Sequence, residues 1–195
     1  LLVSVAEAAT PKPIWAQSVE EIAKRVNKVR AGDDLTPKKW PGGKKVAVSL
    51  SFDVDTEPVW MGFQGQSSPS YMSRGEYGAR AGMPRIMELL EKHKIPATFF
   101  IPALSMELHP QLVPMIQKNP RNEIGFHSYA HENPMTLTPE QERATYAKAM
   151  EIFLRHTGKR PTGFRSAAWD LTESIKFGQE LKKLKCKFID VSSGG

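Results

Sequence analysis

Two pairs of side chains that can bind metal ions stand out in this chain. Asp53 and Asp55 close one apolar run, and His127 and His131 follow directly after a second run. Two imidazoles and one carboxylate can hold a divalent ion while leaving positions open for water and a substrate. Because the second carboxylate can then accept a proton, these residue types and spacings indicate a mononuclear metal hydrolase.

Each pair has a simpler interpretation when it is taken alone. The two histidines can be ordinary polar residues, and Gly125 before them and Pro134 after them favour a loop or a single turn over a helix. Asp53 and Asp55 lie on one side if the strand continues, so either can bind the ion while the other takes a proton. They can also cap a turn at the strand end. The occurrence of both pairs in one chain favours the metal site.

Other residues near these pairs can contact a substrate or position an acid. Arg165 follows a short apolar stretch, where its guanidinium can grip a buried carboxylate through two hydrogen bonds or lie at the surface. Trp169 can form one wall of a substrate groove or pack beneath its loop. The segment 57–78 is long for a connection, and its Trp60 and Tyr77 can face a substrate or anchor the segment.

These side chains need a scaffold that brings strand ends together. From about residue 46, short apolar runs alternate with helical patterns, which is typical of an α/β fold with a parallel sheet. Reactive groups gather at the carboxyl ends of such strands, and every candidate here ends or follows a predicted strand: both pairs, Arg165, Trp169 and Asp190. The predicted strands are 46–52, 97–102, 123–126, 162–165 and 187–190, and the predicted helices are 79–94, 110–118, 138–157 and 171–185.

The helix predicted over 138–157 has the clearest boundaries. Thr138 can cap it with Gln141 closing a capping box, and Gly158 can end it. Its predicted core-facing residues recur at helical spacing: Ala144, Ala147, Met150, Phe153 and Leu154. The three histidines in or beside helical segments are expected to have no catalytic role: His93, His109 and His156.

Composition and charge restrict the partners of the chain. The 195 residues carry a net charge of +6, and residues 11–48 alone hold nine Lys or Arg against four acids. Because this excess precedes the candidate site, it favours a solvated face or attraction to an anionic surface over a nucleic-acid partner. Cys186 is the only cysteine, which excludes an internal disulfide. No apolar run approaches the roughly 20 residues of a membrane span, and homo-oligomers stay possible.

The chain resembles the polysaccharide deacetylases of carbohydrate esterase family 4. The three stretches that carry the resemblance are 51–55, 127–131 and 163–169. It implies a distorted (β/α) barrel, incomplete in this chain, that hydrolyses a C–N amide bond with one divalent metal ion. The resemblance further implies Asp53 as the base, Arg165 as the residue that orients it, and three ligands to the ion: Asp55, His127 and His131. Zinc is the first choice, and iron, cobalt and nickel fit the same ligands.

Stretches 73–78, 97–102 and 131–134 are similar to one branch of that family, which contains peptidoglycan deacetylases and cyclic-imide or allantoin hydrolases. The resemblance therefore implies N-deacetylation of a polysaccharide such as peptidoglycan or chitin oligomers as the leading function. A small cyclic amide is the alternative substrate. A non-catalytic binding domain is the third interpretation. Trp60, Tyr77 and Trp169 are the expected substrate contacts.

Three departures from the family pattern also appear. Val54 splits the usual adjacent acid pair, and Ala167 stands where the third motif often has Pro. Five strands do not close a barrel, so we expect a fragment whose missing part, beyond residue 195, supplies the acid for the leaving amine. We predict a basic helical extension and linker over 1–45 and the N-terminal part of a deacetylase catalytic domain over 46–195. The Ala-rich start leaves secretion or a cell-envelope location open, with the cytoplasm slightly favoured.

Overall fold

A computed structural model describes residues 13–26, 38–169 and 188–190 of the chain. Contacts divide the chain near residue 40, and the two parts are described separately. The first part contains helix α1, Val19–Val26. Its start is a capping box, because Ser18 and Glu21 each accept a hydrogen bond from the backbone N–H of the other. The helix predicted over 171–185 lies outside the described residues.

The second part is a parallel sheet with helices between its strands. Five strands run in the order β1-β2-β3-β4-β5, and each pairs with the next in parallel. The predicted α/β class is confirmed. The strands are β1 Ser51–Asp53, β2 Thr98–Ile101, β3 Glu123–Phe126, β4 Gly163–Arg165 and β5 Phe188–Asp190, and the helices are α2 Pro69–Tyr77, α3 Met83–His93, α4 Ala103–Leu108, α5 Leu112–Gln117 and α6 Pro139–Thr157.

The structure corrects the predicted elements on either side of β1 and adds a helix after β2. The strand predicted from Val46 begins only at Ser51, and Val48 is 81% exposed, so residues before β1 do not join the buried sheet. The segment 57–78 is not a simple loop, because it folds into a π-helical turn at Val59–Phe63 followed by α2. Helix α4 was not predicted at all. Among the described helices, none is long and apolar enough to cross a membrane.

Helix α6 confirms the predicted cap. The Thr138 side chain accepts from the Gln141 N–H over 3.2 Å, and the Gln141 side chain accepts from the Thr138 N–H over 2.8 Å. Gly158 ends the helix in the left-handed region, at φ 73°.

The predicted core stripe of α6 was wrong in its first two turns. Ala144 and Ala147 are exposed, whereas Glu142 and Tyr146 are buried. The rings of Tyr146 and Phe153 both lie against Phe126 of β3, with centroids 5.9 and 6.1 Å away. The helix therefore turns its aromatic residues to the sheet, since rings fill the space over the central strands better than alanine does.

Candidate metal centre

The loop after β3 carries both histidines in a strained backbone. Ser128 has φ +59° and His131 has φ +57°, in a region that costs a non-glycine residue about 1–2 kcal/mol. The Glu132 carboxylate compensates by accepting hydrogen bonds from the Ser128 hydroxyl, at 3.1 Å, and from the Ala130 N–H, at 3.0 Å. This loop, residues 127–132, is called the His loop below. Sequence reasoning missed Glu132, although a carboxylate directly after the second histidine was a visible signal.

Asp55 lies against both imidazoles of the His loop. Its Oδ1 is 3.4 Å from Nε2 of His127, and its Oδ2 is 3.6 Å from Nε2 of His131. One ligand atom from each of the three residues lies within 4.8 Å of the others. Ligands held about 2.0–2.2 Å from a tetrahedral ion are about 3.3–3.6 Å apart, so the spacing suits a small divalent cation.

The hydrogen bonding of His127 tests whether these residues fit a metal ion. Its Nδ1 lies 2.7 Å from the backbone carbonyl of Arg165, which can only accept, so Nδ1 carries the proton. In the neutral ring, Nε2 then turns a lone pair toward an Asp55 oxygen, and two electron-rich atoms face each other. Among the described residues, three buried atoms have no hydrogen-bond partner: Asp55 Oδ1, His127 Nε2 and His131 Nδ1. A cation bound between Asp55 Oδ1 and His127 Nε2 would satisfy these two facing atoms, so the residues fit a metal.

Burial and charge shift the pKa values of His127 and His131 in opposite directions. Burial opposes protonation of His127, but contact with Asp55 and its negative charge outweigh burial and raise the pKa of this imidazole. Burial lowers the pKa of His131, even though Asp55 opposes the shift. His131 is therefore neutral at pH 7, which is the form of imidazole that binds metals.

Arg165 links Asp53, the second carboxylate, to the candidate metal ligands. Its Nη1 donates to Asp53 Oδ1 over 2.5 Å, and its Nη2 donates to the Ser51 hydroxyl over 2.8 Å. The guanidinium lies 4.2 Å from the ring centre of Phe100, which supports it from below. Since the carbonyl of Arg165 also accepts from His127, one residue of β4 holds both an acid and an imidazole. The structure thus brings together five predicted site residues: Asp53, Asp55, His127, His131 and Arg165.

The π-helical turn of residues 59–63 packs on the His loop. The Phe63 ring meets His131 edge-on, with centroids 5.9 Å apart. At Gly62 the backbones approach so closely that an added Cβ would lie 1.8 Å from the Ala130 carbonyl oxygen. The segment 57–78 therefore covers one side of His131.

A cavity of about 460 Å³ opens beside the two carboxylates. Asp53, Asp55 and Trp60 line it, and the Trp60 ring is anchored by Tyr71, with centroids 5.2 Å apart. Tyr77 does not line this cavity, and its hydroxyl instead accepts from Arg85. A second cavity, of about 530 Å³, lies between α3 and α5 and holds none of the candidate residues.

Trp169 follows β4 in a left-handed conformation, with φ +53°. Its side chain is 48% exposed and is not part of the cavity lining. Of the three expected substrate contacts, the structure therefore brings only Trp60 to the carboxylates.

A parallel strand-helix fold with acids and imidazoles at the carboxyl ends of its strands is the arrangement of barrel-type α/β enzymes. The polysaccharide deacetylase family model matches residues 42–189, and the chain belongs to this family. It is 35% identical to a peptidoglycan deacetylase from Helicobacter pylori over 130 residues, which are 66% of this chain and 44% of that protein. The chain therefore spans less than half the length of this relative.

Solved structures agree with the fold. A protein from Mycobacterium smegmatis assigned to the polysaccharide deacetylases superposes with a TM-score of 0.68 at 28% identity, covering 78% of this chain and 53% of that one. The Puue allantoinase superposes with a TM-score of 0.61 at 25% identity, over 73% of this chain and 53% of that one. Both the predicted barrel type and the resemblance to this family are confirmed.

Proposed function

We propose that this chain carries the metal centre of a hydrolase that removes acetyl groups from an N-acetylated glycan. One observation carries the proposal: one ligand atom each of Asp55, His127 and His131 lies within 4.8 Å of the others, and two atoms that face each other there, Asp55 Oδ1 and His127 Nε2, are buried without a hydrogen-bond partner. Buried polar atoms without partners are costly, so a bound cation would stabilise such a cluster.

Asp55, His127 and His131 would hold the ion, with zinc as the first choice among zinc, iron, cobalt and nickel. When bound, the ion supplies Lewis-acid activation of the amide carbonyl and of the attacking water. The Arg165 carbonyl keeps the proton of His127 on Nδ1, so Nε2 stays available.

Asp53 would act as the base. It lines the cavity with 19% of its side chain exposed, so a water molecule there can pass a proton to the carboxylate. Arg165 restrains the carboxylate through Oδ1 and keeps it in the position required for this transfer. The acid that protonates the leaving amine is not assigned to a residue of this chain.

The glycan is favoured by the relatives and by the cavity. The matching protein from Helicobacter pylori is named a peptidoglycan deacetylase. Trp60 lines the same cavity as Asp53 and Asp55, and an aromatic ring in such a lining can pack against a sugar ring. We therefore expect Trp60→Ala to raise KM more than it lowers kcat.

A cyclic amide such as a ureide ring is the second candidate substrate. The allantoinase structure that superposes on this chain supports it. A cavity of about 460 Å³ also suits a small ring, since ligand pockets typically measure about 300–1,000 Å³.

The test compares the zinc-loaded chain with its Asp53→Asn variant, which keeps size and removes the base. Acetate release is measured from N-acetylated sugar oligomers, and ring opening is measured with allantoin. The proposal expects acetate release by the wild type and a loss of about 10²-fold or more in the variant. Ring opening of allantoin without acetate release would mean that the substrate is a cyclic amide and not a glycan. Equal activity of the wild type and Asp53→Asn would refute the role of Asp53 as the base.

A further inference from the structure

Helix α4 lies between the two loops that supply the candidate metal ligands. It follows Pro102 at the end of β2, and its residues Ala103, Ser105 and Met106 are at most 1% exposed. The helix has no residue in the candidate site. Its polar groups nevertheless contact the His loop and the residues that follow β1, at three successive points along the helix.

The first contact joins the start of α4 to the His loop. The backbone N–H of Ala103 donates to the carbonyl of Ser128 over 3.1 Å, and that of Leu104 donates to the carbonyl of Tyr129 over 2.8 Å. Both donors belong to the first helical turn, where N–H groups have no partner inside the helix. They fix the backbone between His127 and His131.

The second contact joins the middle of α4 to Asp55. The Ser105 hydroxyl donates to the Asp55 carbonyl over 2.7 Å and accepts from the Thr56 hydroxyl over 2.9 Å. Ser105 is fully buried, and Thr56 has φ +51°. The strained residue Thr56 is thus held by one hydrogen bond from its own hydroxyl and by one to the carbonyl of Asp55 before it, in a place that water does not reach.

The third contact lies at the end of α4. His109 Nε2 is 2.7 Å from the Glu57 carboxylate, and the two side chains are only 10% and 13% exposed. The His109 N–H also donates to the Ser105 carbonyl over 3.0 Å, so both side chains are attached to one turn of backbone. Ser105 and His109 are four residues apart and lie on one helix face, toward the Asp55 turn.

We propose that α4 sets the position of Asp55 relative to the His loop, with Ser105 and His109 as positioning residues. This inference rests on the proposed metal site. Neither residue is a ligand, and both act through the backbone around Asp55. Loss of either contact would let Asp55 move away from the imidazoles, so metal affinity and ligand geometry would change together.

The experiment measures Co²⁺ binding to the full chain by its visible absorption spectrum, which reports ligand geometry. Ser105→Ala removes the second contact and His109→Leu removes the third, while His109→Gln keeps a donor for Glu57. Thr157→Val is the control, because it removes a buried hydroxyl that donates to the Phe153 carbonyl within α6, a helix that carries no candidate ligand. Thermal unfolding is recorded for every variant.

We expect Ser105→Ala and His109→Leu to weaken Co²⁺ binding about 10–100-fold with an altered spectrum, and His109→Gln to restore most of the affinity. Thr157→Val should lower Tm and leave binding unchanged. The positioning role of α4 is refuted if the Ser105 and His109 variants lower Tm but keep the wild-type Co²⁺ affinity and absorption spectrum. If Ser105→Ala does not fold, the proposal is tested with His109→Leu and His109→Gln alone. A wild-type chain that binds no Co²⁺ would refute the proposed metal site itself.

Discussion

The Nδ1–H of His127 donates to the backbone carbonyl of Arg165, and the side chain of Arg165 donates to Asp53. One residue thereby orients a candidate ligand through its main chain and a candidate base through its guanidinium. The main-chain contact does not depend on the side chain, whereas the second contact depends on the planar fork of arginine, whose Nη1 and Nη2 reach Asp53 and Ser51 together.

Arg165→Lys should keep metal binding and lower kcat. A lysine ammonium cannot donate to Asp53 and Ser51 while stacking on Phe100, so Asp53 loses its fixed position. We expect kcat to fall about 10–100-fold with little change in KM, measured by acetate release. Arg143→Lys, at an exposed ion pair with Glu140, is the matched control and should have no effect. Wild-type kcat in Arg165→Lys would argue against the positioning role.

Gly62→Ala should disturb the His loop. The added Cβ would overlap the Ala130 carbonyl oxygen, so one of the two backbones must move. We expect a loss of about 1–3 kcal/mol in the free energy of unfolding and weaker metal binding. Gly78→Ala is the control, because an added Cβ there meets nothing within 4 Å. Equal stability of the two variants would mean that the turn of residues 59–63 does not press on the His loop.

The sequence predicted that the candidate residues lie close together, because they end or follow strands. Asp53, His127 and Arg165 each end or follow a strand, and parallel strands bring such ends to one edge without further information. The exact extent of β1 was missed because the apolar residues Val46 and Val48 resemble strand residues, although the structure leaves them exposed.

The contacts of α4 were beyond sequence reasoning for a physical reason. A six-residue helix is too short to show a helical period, and Ser105 meets Asp55 across fifty positions of the chain. Only the four-residue spacing of Ser105 and His109 hinted at a shared face. In α6, the buried face contains the charged residue Glu142, which apolar periodicity does not detect. The periodicity therefore assigned Ala144 and Ala147 to the core, although both are exposed.

Thr138→Ala should destabilise the chain without changing its chemistry. The variant loses the hydrogen bond from the Gln141 N–H that caps α6. We expect a loss of about 1 kcal/mol in the free energy of unfolding, measured with denaturant, and an unchanged kcat. Thr138→Ser retains the capping oxygen and should behave as the wild type. A variant Thr138→Ala of full stability would show that the capping box contributes nothing to folding.

Stability should depend on acid pH through Glu107. Hydrogen bonds from Arg155 and from His156 lower the pKa of this carboxyl below its ordinary value of 4.5. Its stabilising contribution is therefore complete above pH 4.5 and disappears as the pH falls through the lower, folded pKa. Because Glu107 is 37% exposed, the contribution is under about 1 kcal/mol. Wild type and Glu107→Gln should differ in Tm at pH 7 and converge once the pH falls below the folded pKa of Glu107, and a difference that stays constant with pH would contradict this.

The most direct test of the metal centre is the zinc content of the purified chain after loading and extensive dialysis, measured by elemental analysis. We expect about one ion per chain in the wild type and in His93→Ala, whose imidazole lies exposed at the end of α3. His127→Ala should retain almost none, because it loses one of three ligands. Zinc retained by His127→Ala at the wild-type level, or absent from the wild type, would contradict the assignment of Asp55, His127 and His131 as the metal site.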